Sequence, residues 1–419
     1  MYEIIHVKGN TFCIDTGMTY IPFYKVNEKE IIMLDSGWAE GEQEKLNTLL
    51  DYNDFKVVGI INSHSHIDHI GNNSFLKNKY DCIIAMSTFA AHICSSVEAL
   101  KLYYNRHFLS CVKEHYGHLV CETDIIIDEH QKSVYINGIK FGIFPTAGHT
   151  LGHIAIITPD DVAYLGDSLI TDKVMSGTKL PYAYDLEEDL KSKMNLLNLH
   201  SKKYVIAHKG IVDNIDNLIE ENIKYYKGRA TTLLNLISHP MTMEEILKVI
   251  VKEWNIKIQS VNKYIVVERM LRYYVEYLFE TNQVELIIDD GFLKYKPLRD
   301  DNNNLEVELK VEEIVQRQLD YYNSHDLERF ISLYSKNIKI YNLLNNNIIM
   351  EGEEALRNNY KERFEVLKVN ATLKNRIVIG NKVIDEEEVR GLKANEVVKA
   401  VAVYEIKNNL IENVWFIFE

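Results

Sequence analysis

Short apolar runs that stop at polar turns alternate, over roughly the first 225 residues, with stretches whose apolar positions return every three or four residues. The runs at residues 11–16, 21–26, 31–34, 55–61, 82–85, 125–127, 133–136 and 140–145 read as strands. Residues 42–51 read as an amphipathic helix and residues 88–119 as a long helical region. Strands with interposed helices, some meandering and some crossing over, predict an α/β layered domain.

Past about residue 227 the pattern changes. Ile246, Leu247, Ile250, Val251 and Trp254 fall at helical spacing behind a Thr242 N-cap, and residues 262–280 predict a second helix. Residues 284–288 and 291–296 flank Asp289-Asp290-Gly291, a hairpin signal. The run Arg299-Asp300-Asp301-Asn302-Asn303-Asn304 reads as a linker. Beyond it, helices are predicted at 311–323, 326–334 and 353–364, and strands at 336–343, 371–379, 383–392, 397–407 and 410–418. The expected division is 1–226, a small extension 227–298, a linker 299–306 and a last domain 307–419. Val401, Val403, Trp415 and Ile417 alternate against Ala400, Ala402, Tyr404, Val414, Phe416 and Phe418, so both faces of the final strands are apolar. An apolar outer face predicts a homodimer through this sheet.

A chain of 419 residues exceeds one core. No basic segment followed by an apolar one opens the sequence, and no apolar run approaches a bilayer span, so neither a leader nor a membrane anchor is expected. Five cysteines without a Cys-x-x-Cys pair suggest free thiols in a reducing cytoplasm. The net charge of −14, with Asp289 and Asp290 at the hairpin tip, disfavours a nucleic-acid partner.

The chemistry concentrates in Asn62-Ser63-His64-Ser65-His66-Ile67-Asp68-His69-Ile70-Gly71, directly after an apolar strand. Three crowded imidazoles repel one another when protonated, but neutral around a cation they form, with the carboxylate, a stable nitrogen and oxygen set. Asp35 closes the strand at 31–34, and His149 and His153 follow the one at 140–145. Asp167 ends Ala163-Tyr164-Leu165-Gly166, and His208 ends Tyr204-Val205-Ile206-Ala207. With the first cluster, His149, Asp167 and His208 supply seven ligands for two metals.

Asp35, His64-x-His66-x-Asp68-His69, His149, Asp167 and His208 resemble, in order, the motif series of the metallo-β-lactamase fold hydrolases. The resemblance implies an αββα sandwich. One metal would be held by His64, His66 and His149, and a second by Asp68, His69 and His208. Asp167 would bridge them, and Asp35 would orient a ligand imidazole. His153 would be structural. Two divalent ions, zinc before iron or manganese, would generate a bridging hydroxide that attacks an ester, thioester or lactone, with Asp68 relaying the proton. Asp167 argues against antibiotic hydrolysis, and His66, where diiron flavoprotein relatives usually carry glutamate, against redox chemistry. Substrate preference would reside in residues 88–119 and 171–185, where Tyr182 and Tyr184 are potential hydrogen-bond donors. The rivals are a ribonuclease or other phosphodiesterase, and a non-catalytic ligand-binding or assembly protein. The extension looks like a winged-helix unit. Residues 307–419, through Tyr321-Tyr322-Asn323-Ser324-His325-Asp326-Leu327 and Val414-Trp415-Phe416, resemble the NTF2-like (SnoaL-like) α+β cone. Asn342 stands where isomerase members place a carboxylate base, which favours dimerisation over catalysis there.

Overall fold

Every second residue of the central strands is apolar on each face, and the chain answers by stacking two sheets with helices outside both. The computed structural model describes residues 2–298, 311–392, 396–407 and 409–418, so the Arg299–Asn304 linker lies outside the described residues. Two units are distinguished, Met1–Arg299 and Asp300–Glu419.

In the first unit a seven-stranded sheet runs in chain order from Glu3–Lys8 to Ile125–Ile127. Its first four strands are antiparallel neighbours and its last three, from Lys56–Ile61 onward, join in parallel. A six-stranded sheet runs in order from Ser133–Ile136 to Gly210–Val212. Ile32, Leu34 and Ile61 of the first sheet meet Ile136, Phe141, Ile156 and Val205 of the second in one buried cluster. The far face of the first sheet packs on Leu46, Leu50, Leu76 and Leu100 of its helices, and that of the second on Leu196, Ile215 and Ile219. This is an αββα sandwich.

The long helical region expected at 88–119 consists of three helices, Thr88–Ile93, Val97–Tyr103 and Leu109–Tyr116, and a closing turn at Gly117–Leu119. Ser96 interrupts it by accepting the Ala99 N–H as an N-cap, an alternative that short hydroxyl side chains offer the backbone. The strands Glu3–Lys8 and Ile154–Ile157 stand outside the expected set, although Gly9-Asn10 and Pro159-Asp160 close them as turn signals.

Helices Asp216–Leu236, Met243–Glu253 and Val261–Glu280, with the hairpin Val284–Asp289/Phe292–Pro297, complete the unit. Thr242 caps the second of these in a capping box with Glu245. Ile246, Leu247, Leu271 and Tyr274 share a buried cluster with Met175, Leu180, Leu186 and Leu190, so the extension packs on the segment that follows Asp167.

In the second unit a six-stranded sheet has the order Ile348–Glu351, Tyr334–Asn342, Leu410–Phe418, Val397–Lys407, Lys382–Arg390, Asn370–Ile379. Its buried face covers Ile314, Phe330, Leu356, Tyr360 and Phe364 of the helices.

Candidate metal centre

Strand ends set the site. Asp35 follows Glu30–Leu34, the histidine cluster follows Lys56–Ile61, His149 follows Ile139–Pro145, Asp167 follows Val162–Tyr164 and His208 follows Lys203–Ile206. Aligned termini of neighbouring strands bring these side chains to one edge of the sandwich. Three groups of ligand atoms lie within 4.8 Å of one another: His64, His66, His149 and Asp167; Asp68, His69 and His208; and Asp35, His64 and His69.

Hydrogen bonds fix which nitrogen each ring presents. Asp35, buried and at φ +67, accepts from the Ser63 N–H at 2.7 Å, the Ser63 hydroxyl at 2.6 Å, the Tyr164 hydroxyl at 2.7 Å and His69 Nδ1 at 2.7 Å. With its hydroxyl proton committed to Asp35, Ser63 Oγ accepts from His64 Nδ1 at 3.0 Å. Nε2 of His64 is thereby left as a lone pair facing the site, and Nε2 of His69 faces it too, able to ligate once a cation displaces its proton. The Asp167 N–H donates to His153 Nε2 at 3.1 Å, so His153 Nδ1 donates to Thr146 at 2.7 Å. His153 holds the Asp167 backbone and stays outside the ligand set.

His66 Nδ1 lies 3.0 Å from both His64 Nε2 and His149 Nε2. A tetrahedral ion with bonds of about 2.0–2.1 Å spaces its ligands by roughly 3.3 Å, so the three nitrogens fit a shared cation. Asp167 turns one oxygen to each side: Oδ2 is 3.4 Å from His149 Nε2, and Oδ1 is 3.4 Å from both His69 Nε2 and His208 Nε2. Asp68 Oδ2 is 3.6 Å from His69 Nε2 and from His208 Nε2. His69 Nε2 and Asp167 Oδ1 are buried without a hydrogen bond, an arrangement that a bound cation would satisfy.

Electrostatics divides the cluster. Burial holds His64 and His66 well below their ordinary range and brings His149 to about 4, so these rings are neutral and ready to ligate. Asp167 raises His208 to about 9, and despite burial Asp167, Asp68 and Asp35 hold His69 well above its range. Positive charge is wanted on that side, and a divalent ion supplies it by displacing the protons.

Gly148 fixes the His149 loop. At φ +124, a Cβ there would lie 2.1 Å from the Asp189 backbone nitrogen. The helix Leu186–Asn195 grips the loop through Asp185 N–H to the Gly148 carbonyl and Ser192 hydroxyl to the Ala147 carbonyl. It is anchored beneath by the fully buried pair Lys193–Asp189. Ser63, Tyr164, Lys193 and Asp189 are absent from the expected site, because nothing local in the sequence sets them apart. The same holds for Tyr103, whose hydroxyl lies 3.0 Å from His66 Nε2 and 3.1 Å from Tyr182.

In the second unit Asn342 ends its strand and accepts the Leu344 and Asn345 N–H groups. Among the described residues of that domain Asp385 and Glu387 are buried acids, and Glu387 lies beside a cavity of about 20 Å³ lined also by Gln318, Tyr322, Tyr360 and Tyr404. Asp385, on the same strand face, is paired with Arg376 at 2.6 Å. Burial, helped by the Asp385 charge, raises Glu387 to about 7. The folded state therefore keeps a proton that the unfolded chain releases between about pH 4.5 and 7, and stability falls as pH rises through that window. Glu387→Gln is expected to stabilise the domain by up to about 3 kcal/mol at pH 8 and by almost nothing at pH 4. Urea unfolding at the two pH values measures this.

Residues 14–208 match the family model described as the metallo-beta-lactamase superfamily, and residues 315–414 that of the SnoaL-like domain. An uncharacterized protein of Aquifex aeolicus is 32% identical over 29% of this chain and 51% of its own length. A probable metallo-hydrolase of Streptococcus pyogenes is 23% identical over 43% of this chain and 76% of its own. A hydroxyacylglutathione hydrolase of Rhodopseudomonas palustris is 26% identical over 33% and 45%. The chain thus spans about half the length of two of these curated relatives and three quarters of the other. Among solved structures, a metallo-beta-lactamase family protein of Thermus thermophilus aligns with a TM-score of 0.51 at 18% identity, covering 67% of this chain and 93% of its own. A beta-lactamase domain protein of Burkholderia ambifaria aligns at 0.52 and 14%, covering 70% and 93%. At such identities the likeness is one of fold.

Proposed function

We propose, from the membership of residues 14–208 in the metallo-β-lactamase superfamily, that this chain is a metal-dependent hydrolase of small ester-type substrates, thioesters foremost. The observation that carries the reading is Asp167, a buried carboxylate whose two oxygens face separate ligand groups. His64, His66 and His149 form one ion site, Asp68, His69 and His208 the other, with Asp167 shared. Without a thiolate the set suits zinc first, then iron or manganese. Divalent ions bound there lower the pKa of water toward roughly 7 and polarise a carbonyl.

The chain's own groups do the rest. Asp35 holds the His64 and His69 rings in register through Ser63 and directly. Asp68, the more accessible of the site carboxylates, takes and returns the proton. Tyr103 and Tyr182 pack their rings against His66. The net charge of −14 favours a small substrate over nucleic acid. The relative named as a hydroxyacylglutathione hydrolase supports a thioester.

Purified, metal-loaded protein should turn over thioesters or esters, lose that activity on chelation and regain it with zinc. Turnover of phosphodiesters alone would favour the nuclease rival. Metal-loaded protein inert toward every class would favour the non-catalytic one.

The full chain is a homodimer through the last sheet in this reading. Val401 pairs with Ile417 and Val403 with Trp415 on the face opposite buried Ala402 and Tyr404. Light scattering should find a chain ending at Leu298 monomeric, and a dimeric one would move the interface elsewhere. Among the described residues no helix is long and apolar enough to cross a membrane. The five free cysteines support a reducing cytoplasm.

A further inference from the structure

Arg269 is a buried cation without an acceptor. It lies on the helix Val261–Glu280, is 9% exposed, and makes no hydrogen bond or ion pair among the described residues, Nε and Nη1 both being buried. Its neighbour Glu268 does not neutralise it, being held by Arg106 and Arg272. Three tyrosine rings surround the guanidinium instead, with their centroids 5.1 Å (Tyr104), 5.6 Å (Tyr103) and 5.7 Å (Tyr182) from its central carbon. Aromatic faces attract a cation but offer no acceptor for its N–H groups, so the donors stay unsatisfied.

The position of this cage gives it a use. Tyr182 also stacks edge-on against His66 at 4.8 Å and His149 at 5.2 Å, and Tyr103 bonds His66. One tyrosine ring therefore separates the guanidinium from two ligands of the candidate metal centre. Tyr103, Tyr182, Tyr184 and Tyr273 are only half-buried, and they come from three separate segments: the insertion, the loop after Asp167, and the extension. A guanidinium without a carboxylate partner beside the site's edge has the planar fork that suits an anion.

We infer that Arg269 and its tyrosine cage form the substrate-binding subsite of the hydrolase, taking a carboxylate carried on one arm of the substrate a short reach from the scissile carbonyl. The inference rests on the hydrolase reading, and the two can fail separately. A site built to hydrogen-bond a group rejects the analogue that lacks it. The guanidinium accordingly selects charged substrates, and the rings pack the arm that joins the charge to the ester.

The test uses metal-loaded full-length protein and two matched pairs of thioesters, with a carboxylate or its methyl ester on the acyl arm or on the thiol arm. In one pair kcat/KM should favour the carboxylate by at least about tenfold. Arg269→Met should remove most of that ratio, and Arg269→Lys, which keeps the charge without the planar fork, should restore part of it. Calorimetric titration with glutarate gives a readout independent of turnover: affinity should drop about tenfold or more in Arg269→Met. No charge preference in the native enzyme, or a ratio and glutarate affinity that survive Arg269→Met, would overturn the subsite. Should Arg269→Met fail to fold, a Lys variant with the native ratio and affinity would do the same. Arg269-dependent glutarate binding without turnover of any thioester would overturn the hydrolase reading and leave the anion site standing.

Discussion

Asp167→Ala should cut bound metal from two ions per chain to one or fewer and lower hydrolysis by about a thousandfold or more. The residue is 7% exposed, and its oxygens lie 3.4 Å from His149, His69 and His208 on opposite sides. Among the described residues Asp68 contacts only His69 and His208, and Asp35 bonds His69 at Nδ1, behind the ring, so neither replaces Asp167 between the two groups. Removing it also removes the largest influence holding His208 near 9 in the metal-free protein. The His208 pKa should therefore fall toward its ordinary value, which proton NMR titration of the metal-free variant would read. Elemental analysis measures the metal, and a variant that keeps two ions would contradict the bridging role.

Gly148→Ala should be nearly as damaging although the glycine touches no ligand atom. A methyl group would sit 2.1 Å from the Asp189 nitrogen and 2.2 Å from its Cα, at a φ of +124 that L residues avoid. The obstacle is backbone, held by the buried Lys193–Asp189 pair, so no flexible side chain can swing aside. Either the His149 loop or the Leu186–Asn195 helix must move. The overlap and strain together cost about 3 kcal/mol. A displacement of His149 by about 1 Å should lower kcat/KM roughly a hundredfold. Thermal unfolding and steady-state kinetics on the same preparation separate the two effects, and native values of both would contradict this account of the loop.

Both effects concern residues whose sequence signals differ. Asp167 is legible because it closes an apolar strand, as do Asp35, His149 and His208, and such ends meet at one edge when strands run side by side. Gly148 is legible only as a turn residue, since what it approaches lies on a helix 41 residues further along the chain. The α/β layering and the hairpin follow from periodicity, because each element shows its buried face, whereas the sandwich and the cone come from the family resemblances. The first break in the helical region at 88–116 does not follow from periodicity, since Ser96 makes it by capping rather than by changing hydrophobicity.

Charged residues on buried faces are the harder class. Glu387 belongs to Lys382-Val383-Ile384-Asp385-Glu386-Glu387-Glu388-Val389, in the expected strand 383–392, where four consecutive acids hide which face is buried. The period of two places Val383, Asp385, Glu387 and Val389 on one face, and that face is the buried one. Arg269 is hidden likewise, in a helix whose apolar residues alone predict packing. Only the convergence of three distant segments exposes it as an unpaired cation.

One set of seven side chains is expected to hold two ions. Anomalous diffraction from crystals of the zinc-loaded protein tests it most directly. Two peaks are expected, one among His64, His66 and His149, the other among Asp68, His69 and His208, with an oxygen of Asp167 at each. A single peak, or peaks away from Asp167, would contradict it.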